Sequence, residues 1–175
     1  MTNFISSTLP LLVLFSHLVL VILVLALIFR KSWGREVVDF VGKHALRLSF
    51  ITALVAVLGS LFYSNVIGFA PCELCWWQRI FLYPQVIILF IALRHKDRHV
   101  FKYVGSLSVV AAIISLYQVY IQLGGFSVLP CTAVGSACAK VFINSYGYIT
   151  IPVMSLTICL YLLVFALANN LSRNA

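Results

Sequence analysis

Five long apolar runs, separated by short polar or basic stretches, set the pattern of this chain. They cover approximately Thr8–Phe29, Ala45–Ser64, Trp76–Leu93, Tyr103–Leu123 and Tyr148–Ala168. A helix needs ~20 residues to cross a hydrocarbon core of about 30 Å, and each run reaches or approaches that length. Unpaired backbone groups in lipid cost several kcal/mol, so each run is expected to be a helix; a membrane barrel needs shorter, alternating strands. The pattern predicts an all-α membrane protein with five spans.

Composition agrees with a surface that faces lipid. Of 175 residues, 63% are hydrophobic and 9% charged, and the mean hydropathy is +1.09. A soluble domain keeps about a quarter of its residues charged. The first run has no Lys or Arg before it and is followed by Arg30-Lys31, not by a small-residue cleavage site. It therefore reads as an uncleaved anchor and not as a signal peptide.

The net charge of +8 sits at the ends of the apolar runs. Arg30, Lys31, Arg35, Lys43 and Arg47 fall in the first connection, and Arg94, Lys96, Arg98 and Lys102 in the third. The second connection has none, the fourth only Lys140, and the tail only Arg173. Basic residues so placed report orientation and not a nucleic-acid surface. The rule predicts a cytoplasmic C-terminus and an N-terminus outside, with the second and fourth connections also outside.

Those two outer connections hold four of the five cysteines. Cys72-Glu73-Leu74-Cys75 is the sharper pair. A disulfide closing so small a ring adds little chain-entropy stabilisation, so it is a poor staple and a good electron carrier. Cys75 also opens the third helix, whose backbone N–H groups favour thiolate over thiol. Arg79 lies one turn further along the same face, where a cation favours the anion or neutralises one formed nearby. In Cys131-Thr-Ala-Val-Gly-Ser-Ala-Cys138, Gly135 and Ser136 let the backbone turn so that the sulfurs can meet. Taken alone, that pair is as consistent with a structural disulfide as with a relay. A zinc site built from the four cysteines, or two structural staples, are the alternatives for the whole set. Cys159, inside the fifth run, reads as a small packed residue. Gln118, Gln122 and His17 read as interhelical hydrogen-bonding groups first and pocket groups second. Trp76 and Trp77 read as interface anchors.

Pro71-Cys72-Glu73-Leu74-Cys75-Trp76-Trp77-Gln78-Arg79, followed by an apolar helix and a Pro130-Cys131…Cys138 loop, resembles the DsbB family of disulfide-generating membrane proteins, in its BdbC-like branch. The resemblance covers approximately Lys43–Asn170. It implies a four-helix catalytic bundle over 43–175, with 1–42 an additional N-terminal anchor and cytoplasmic loop that the family usually lacks. The wider spacing usual in the family's second pair is a further departure. The resemblance implies residence in a bacterial cytoplasmic membrane and oxidation of an extracytoplasmic thioredoxin-like dithiol protein (DsbA-like). That partner attacks the Cys131–Cys138 disulfide through Cys131, and Cys138 then attacks Cys72. Cys75 delivers the electrons to a membrane quinone (ubiquinone or menaquinone) held beside Arg79. Vitamin K epoxide reductase-like enzymes share this chemistry, but in them the loop pair precedes the C-x-x-C motif, the reverse of the order here.

Overall fold

The computed structural model describes residues 2–30, 34–126 and 138–173, with side chains from residue 11 onward. Five helices account for most of it: α1 (Thr2–Ile28), α2 (Gly34–Leu61), α3 (Glu73–His95), α4 (Phe101–Gln122) and α5 (Ile151–Arg173). All five contain segments long and apolar enough to cross a membrane. Among the described residues no strand forms; the one β-bridge, Ser145 to Ile149, closes a tight turn ahead of α5.

Helices α2 to α5 pack into a bundle, and α1 lies against α2 and α5. The core is built for close approach. Ala45, Ser49 and Ala53 of α2, Ser108, Ala111 and Ser115 of α4, and Ala166 and Ala168 of α5 are all buried. Apolar side chains gain nothing by leaving lipid, so small residues that let backbones approach hold such bundles together. Gly42 is the extreme case: a Cβ there would lie 2.5 Å from Ser172 Cβ and 2.8 Å from the Ala168 carbonyl oxygen.

The helices run past the apolar stretches that predict them. Arg35, Lys43 and Arg47 belong to α2 and not to the connection before it. Beyond the hydrocarbon a helix still satisfies its own backbone, while long basic side chains reach water. Among the described residues, Arg30, Lys43 and Arg98 nevertheless gather at one end of the bundle, with Arg79 and Lys140 at the other. Arg98 donates to the carbonyls of Gly42 (3.4 Å) and Lys43 (3.1 Å).

At the opposite end α2 finishes in a π-helical turn, Phe62–Val66. The wider turn leads into a small aromatic stack, with Tyr63 on Phe69 and Phe69 on Phe142 at a 4.8 Å centroid separation. The chain then enters α3 at Cys72, whose extended conformation (φ −75°, ψ 173°) marks the helix start. Pro71 just before it disfavours helix upstream, and Glu73 in the first turn complements the helix dipole.

Candidate functional site

Cys72 caps α3 and Cys75 is its third helical residue, so the two face the same side of the first turn. The Trp76 amide donates to the Cys72 carbonyl at 3.1 Å, closing that turn. The two sulfurs lie 3.0 Å apart as a hydrogen-bonded pair, and both cysteines are free. A disulfide brings its sulfurs to about 2.05 Å, so this is the reduced form. Leu74 between them is buried against Ile121 of α4, which fixes the turn on the bundle.

From α4, Gln118 reaches back to the pair. Its Nε2 donates to Cys72 Sγ at 3.2 Å and Cys75 Sγ at 3.5 Å, while its Oε1 accepts from Gln78 Nε2 at 2.8 Å. Gln118 is 2% exposed and Gln78 5%, so water does not substitute for these bonds. Cys72 itself is held as a thiol. Its hydrogen bond to the Cys75 sulfur pushes the pKa up, and burial pushes it further the same way.

Cys138 belongs to the same buried cluster as Cys72, Leu74 and Ile121, with Cys75 at its edge. It is disulfide-bonded. Cys131, expected to act with it, lies outside the described residues. Reduced and oxidised cysteines thus share one small cluster at the same end of the protein.

Two cavities meet at this cluster. A small one, about 20 Å³, is lined by Cys72, Cys75, Gln118, Gln122 and Lys140, among others. The large one, about 410 Å³, runs between α1, α2, α3 and α5 and is lined by Cys75, Gln78 and Arg79 but not by Cys72. Cys75 borders both. The larger volume lies within the range of small-molecule sites, about 300–1,000 Å³. Arg79 donates from Nε to Ser60 Oγ (3.0 Å) and from Nη2 to the Ser60 carbonyl (3.3 Å). Its guanidinium stacks 5.0 Å from the Trp76 ring centroid. Among the described residues it meets no carboxylate, and Nη1 keeps free donors.

The structure therefore brings Cys72, Cys75 and Cys138 into one cluster and sets Arg79 beside Cys75 on the wall of the large cavity. Gln118 does make the expected interhelical bond, but nothing in the sequence announces its contact with both sulfurs. The same holds for Ser60, Gln78 and Tyr83, whose hydroxyl donates to Ser60 Oγ at 3.1 Å. No local pattern marks them, because each meets its partner only through helix packing. Gln122 donates to the Lys140 carbonyl (3.4 Å), and His17 bonds Thr157 across helices (3.0 Å). Cys159 is fully buried in the core, away from the cysteine cluster.

Fold and site together define a multi-spanning helical membrane protein carrying a reduced C-x-x-C pair and a disulfide side by side at one end. The chain belongs to the DsbB family: the family model for disulfide bond formation protein DsbB matches residues 42–169. It is 43% identical over 122 residues to disulfide bond formation protein C of Bacillus subtilis (strain 168), covering 69% of this chain and 88% of that relative. It is 41% identical over 129 residues to the SPbeta prophage-derived disulfide bond formation protein B of the same organism, covering 74% and 86%. A probable disulfide formation protein C of Halalkalibacterium halodurans is 41% identical over 110 residues, covering 62% and 80%. No solved structure matches the chain. Membership makes the chain a disulfide oxidoreductase of the disulfide bond formation family. The match begins inside α2, leaving α1 outside it.

Proposed function

We propose that this protein reoxidises an extracytoplasmic thioredoxin-like dithiol protein and passes the electron pair to a membrane quinone. One observation carries the reading: Cys75 borders both the cysteine cluster and the large intramembrane cavity, so a single sulfur faces both halves of the reaction. With basic residues held inside, the cysteine end faces out, the N-terminus with it, and the C-terminus lies in the cytoplasm.

Each exchange passes through a mixed disulfide. A thiolate of the reduced partner attacks Cys131 of the Cys131–Cys138 disulfide, joining partner to Cys131 and freeing Cys138. Cys138 attacks Cys72 of an oxidised Cys72–Cys75 pair and frees Cys75. The partner's second thiol then displaces Cys131 and leaves oxidised. Cys131 attacks Cys138, which restores the loop disulfide and leaves Cys72 and Cys75 as thiols. In this scheme, a reduced Cys72–Cys75 pair beside a restored loop disulfide is the stage at which two electrons are ready to leave.

The large cavity suits a quinone: its walls are largely apolar, and at the Cys75 end Arg79 keeps donors for a ring oxygen. A quinone bound there supplies a two-electron, two-proton acceptor that departs as quinol. Arg79 orients the ring oxygen, Ser60 and Trp76 hold Arg79, and Gln118 keeps the sulfurs aligned. The net change is partner dithiol plus quinone to partner disulfide plus quinol.

The test mixes purified protein with a reduced thioredoxin-like partner and a quinone and follows quinol formation. Wild type is expected to turn over, and Cys72→Ser and Cys75→Ser to be inactive. Turnover by Cys75→Ser would refute the scheme.

A further inference from the structure

We infer that α1, which lies outside the family match, completes the quinone site: its Val13–Ser16 turn is the wall against which the isoprenoid tail lies. The inference rests on the quinone reading above and adds to it the group that the extra helix contacts.

The cavity lining follows α5 from Ile151 to Phe165, about 20 Å at the helical rise of roughly 1.5 Å per residue. The cavity therefore extends from the cysteine end well into a hydrocarbon core of about 30 Å. A ring seated at Cys75 and Arg79 leaves this deep portion for whatever the ring carries. Val13 and Ser16 of α1 line it together with Thr157, Tyr161 and Phe165 of α5.

The polar groups of that deep wall are already engaged. Ser16 Oγ donates to the Val13 carbonyl at 2.7 Å, Thr157 Oγ1 donates to the Val153 carbonyl at 2.8 Å, and the Tyr161 hydroxyl donates to the Ser16 carbonyl. Satisfied hydroxyls present carbon to the cavity, which fits a hydrocarbon chain and offers water little.

α1 is also fastened where it does this. His17 Nε2 meets Thr157 Oγ1 at 3.0 Å, and at the other end Arg30 Nη2 donates to the Leu171 carbonyl at 2.8 Å. Thr157 and Tyr161 both line the cavity and hold α1, so the extra helix and the cavity share their supporting residues. A helix serving only as an anchor needs no such register with the cavity.

The test uses the full-length protein in lipid nanodiscs. In a Val13→Cys variant, a membrane-permeant maleimide is applied and labelling of residue 13 is read by peptide mass. A quinone with a long isoprenoid tail should slow labelling at least about five-fold, and the same ring without a tail should not. Equal protection by both quinones, protection by neither, or protection by added phospholipid alone overturns the inference. In parallel, Val13→Trp should raise KM for the long-tailed quinone at least about five-fold more than for the tail-less one, with Leu12→Trp on the lipid face as control. Equal changes overturn it. If wild type reduces neither quinone, the proposed function itself fails; if it reduces both and residue 13 is indifferent, only the role of α1 fails.

Discussion

Replacing Gln118 by Leu tests whether the buried amide tunes the Cys72–Cys75 couple. Leu keeps comparable bulk and removes the donor at 3.2 Å from Cys72 and 3.5 Å from Cys75. Hydrogen bonds to charged groups contribute about 1.5–3 kcal/mol, those to neutral groups about 1 kcal/mol. The sulfurs accept this bond most strongly when reduced, so its loss destabilises the dithiol relative to the disulfide. For a two-electron couple 1.4 kcal/mol corresponds to about 30 mV, so the reduction potential should fall by roughly 20–60 mV. The same change strands the Gln78 amide, which bonds Gln118 at 2.8 Å. That orphaned group costs about 1–3 kcal/mol of stability, but in both redox states alike, so it lowers the melting temperature without shifting the potential. Equilibration in thiol–disulfide buffers, quenched by alkylation and read by mass, gives the potential directly. A folded Gln118→Leu protein whose potential is unchanged, or less negative, refutes the reasoning.

Arg79→Lys keeps the charge but loses the planar fork that spans Ser60 and stacks on Trp76, so KM for quinone should rise by about ten-fold in steady-state assays with kcat less affected. Gly42→Leu drives side-chain carbons into Ser172 and the Ala168 carbonyl; thermal unfolding in detergent should show a loss of about 1–3 kcal/mol or more. Alkylation needs thiolate, and the Cys72 pKa is raised by Cys75 and burial, so labelling of Cys72 in the reduced protein should still climb above pH 8.5, roughly the ordinary cysteine value. Cys75→Ala removes the larger cause and should move that profile to lower pH; full Cys72 reactivity at pH 7 in wild type would contradict the assignment.

The spans and the placement of Cys72, Cys75 and Cys138 at one end were legible because lipid imposes them through length and hydropathy alone. Helix ends were less legible. Arg35, Lys43 and Arg47 are polar, yet they continue α2, since a backbone leaving the bilayer gains nothing by unwinding. The C-x-x-C pair is read from three residues of spacing, because a helical turn fixes that geometry locally. Gln118 meets Cys72 across 46 positions, and Ser60 meets Arg79 across 19. Such contacts follow from helix register, which a uniformly apolar pattern does not encode. The π-turn after Leu61 escapes sequence reading for the same reason: Phe-Tyr-Ser-Asn-Val suits several backbone states, and packing chooses among them.

Under the proposed function, the asymmetry between Cys72 and Cys75 gives an electron pair a path from water to lipid. Cys72 has no share in the large cavity, while Cys75 opens onto it. Under the proposed function, attack on Cys72 expels Cys75 as the leaving sulfur, already at the edge of the acceptor's site. The 3.0 Å between the sulfurs then separates the aqueous and lipid halves of the reaction. Closing a ring so small returns little chain entropy, so neither redox state is strongly locked. Leu74 and Gln118 hold the turn on the bundle. In this structure Cys138 already packs in the same cluster as Cys72.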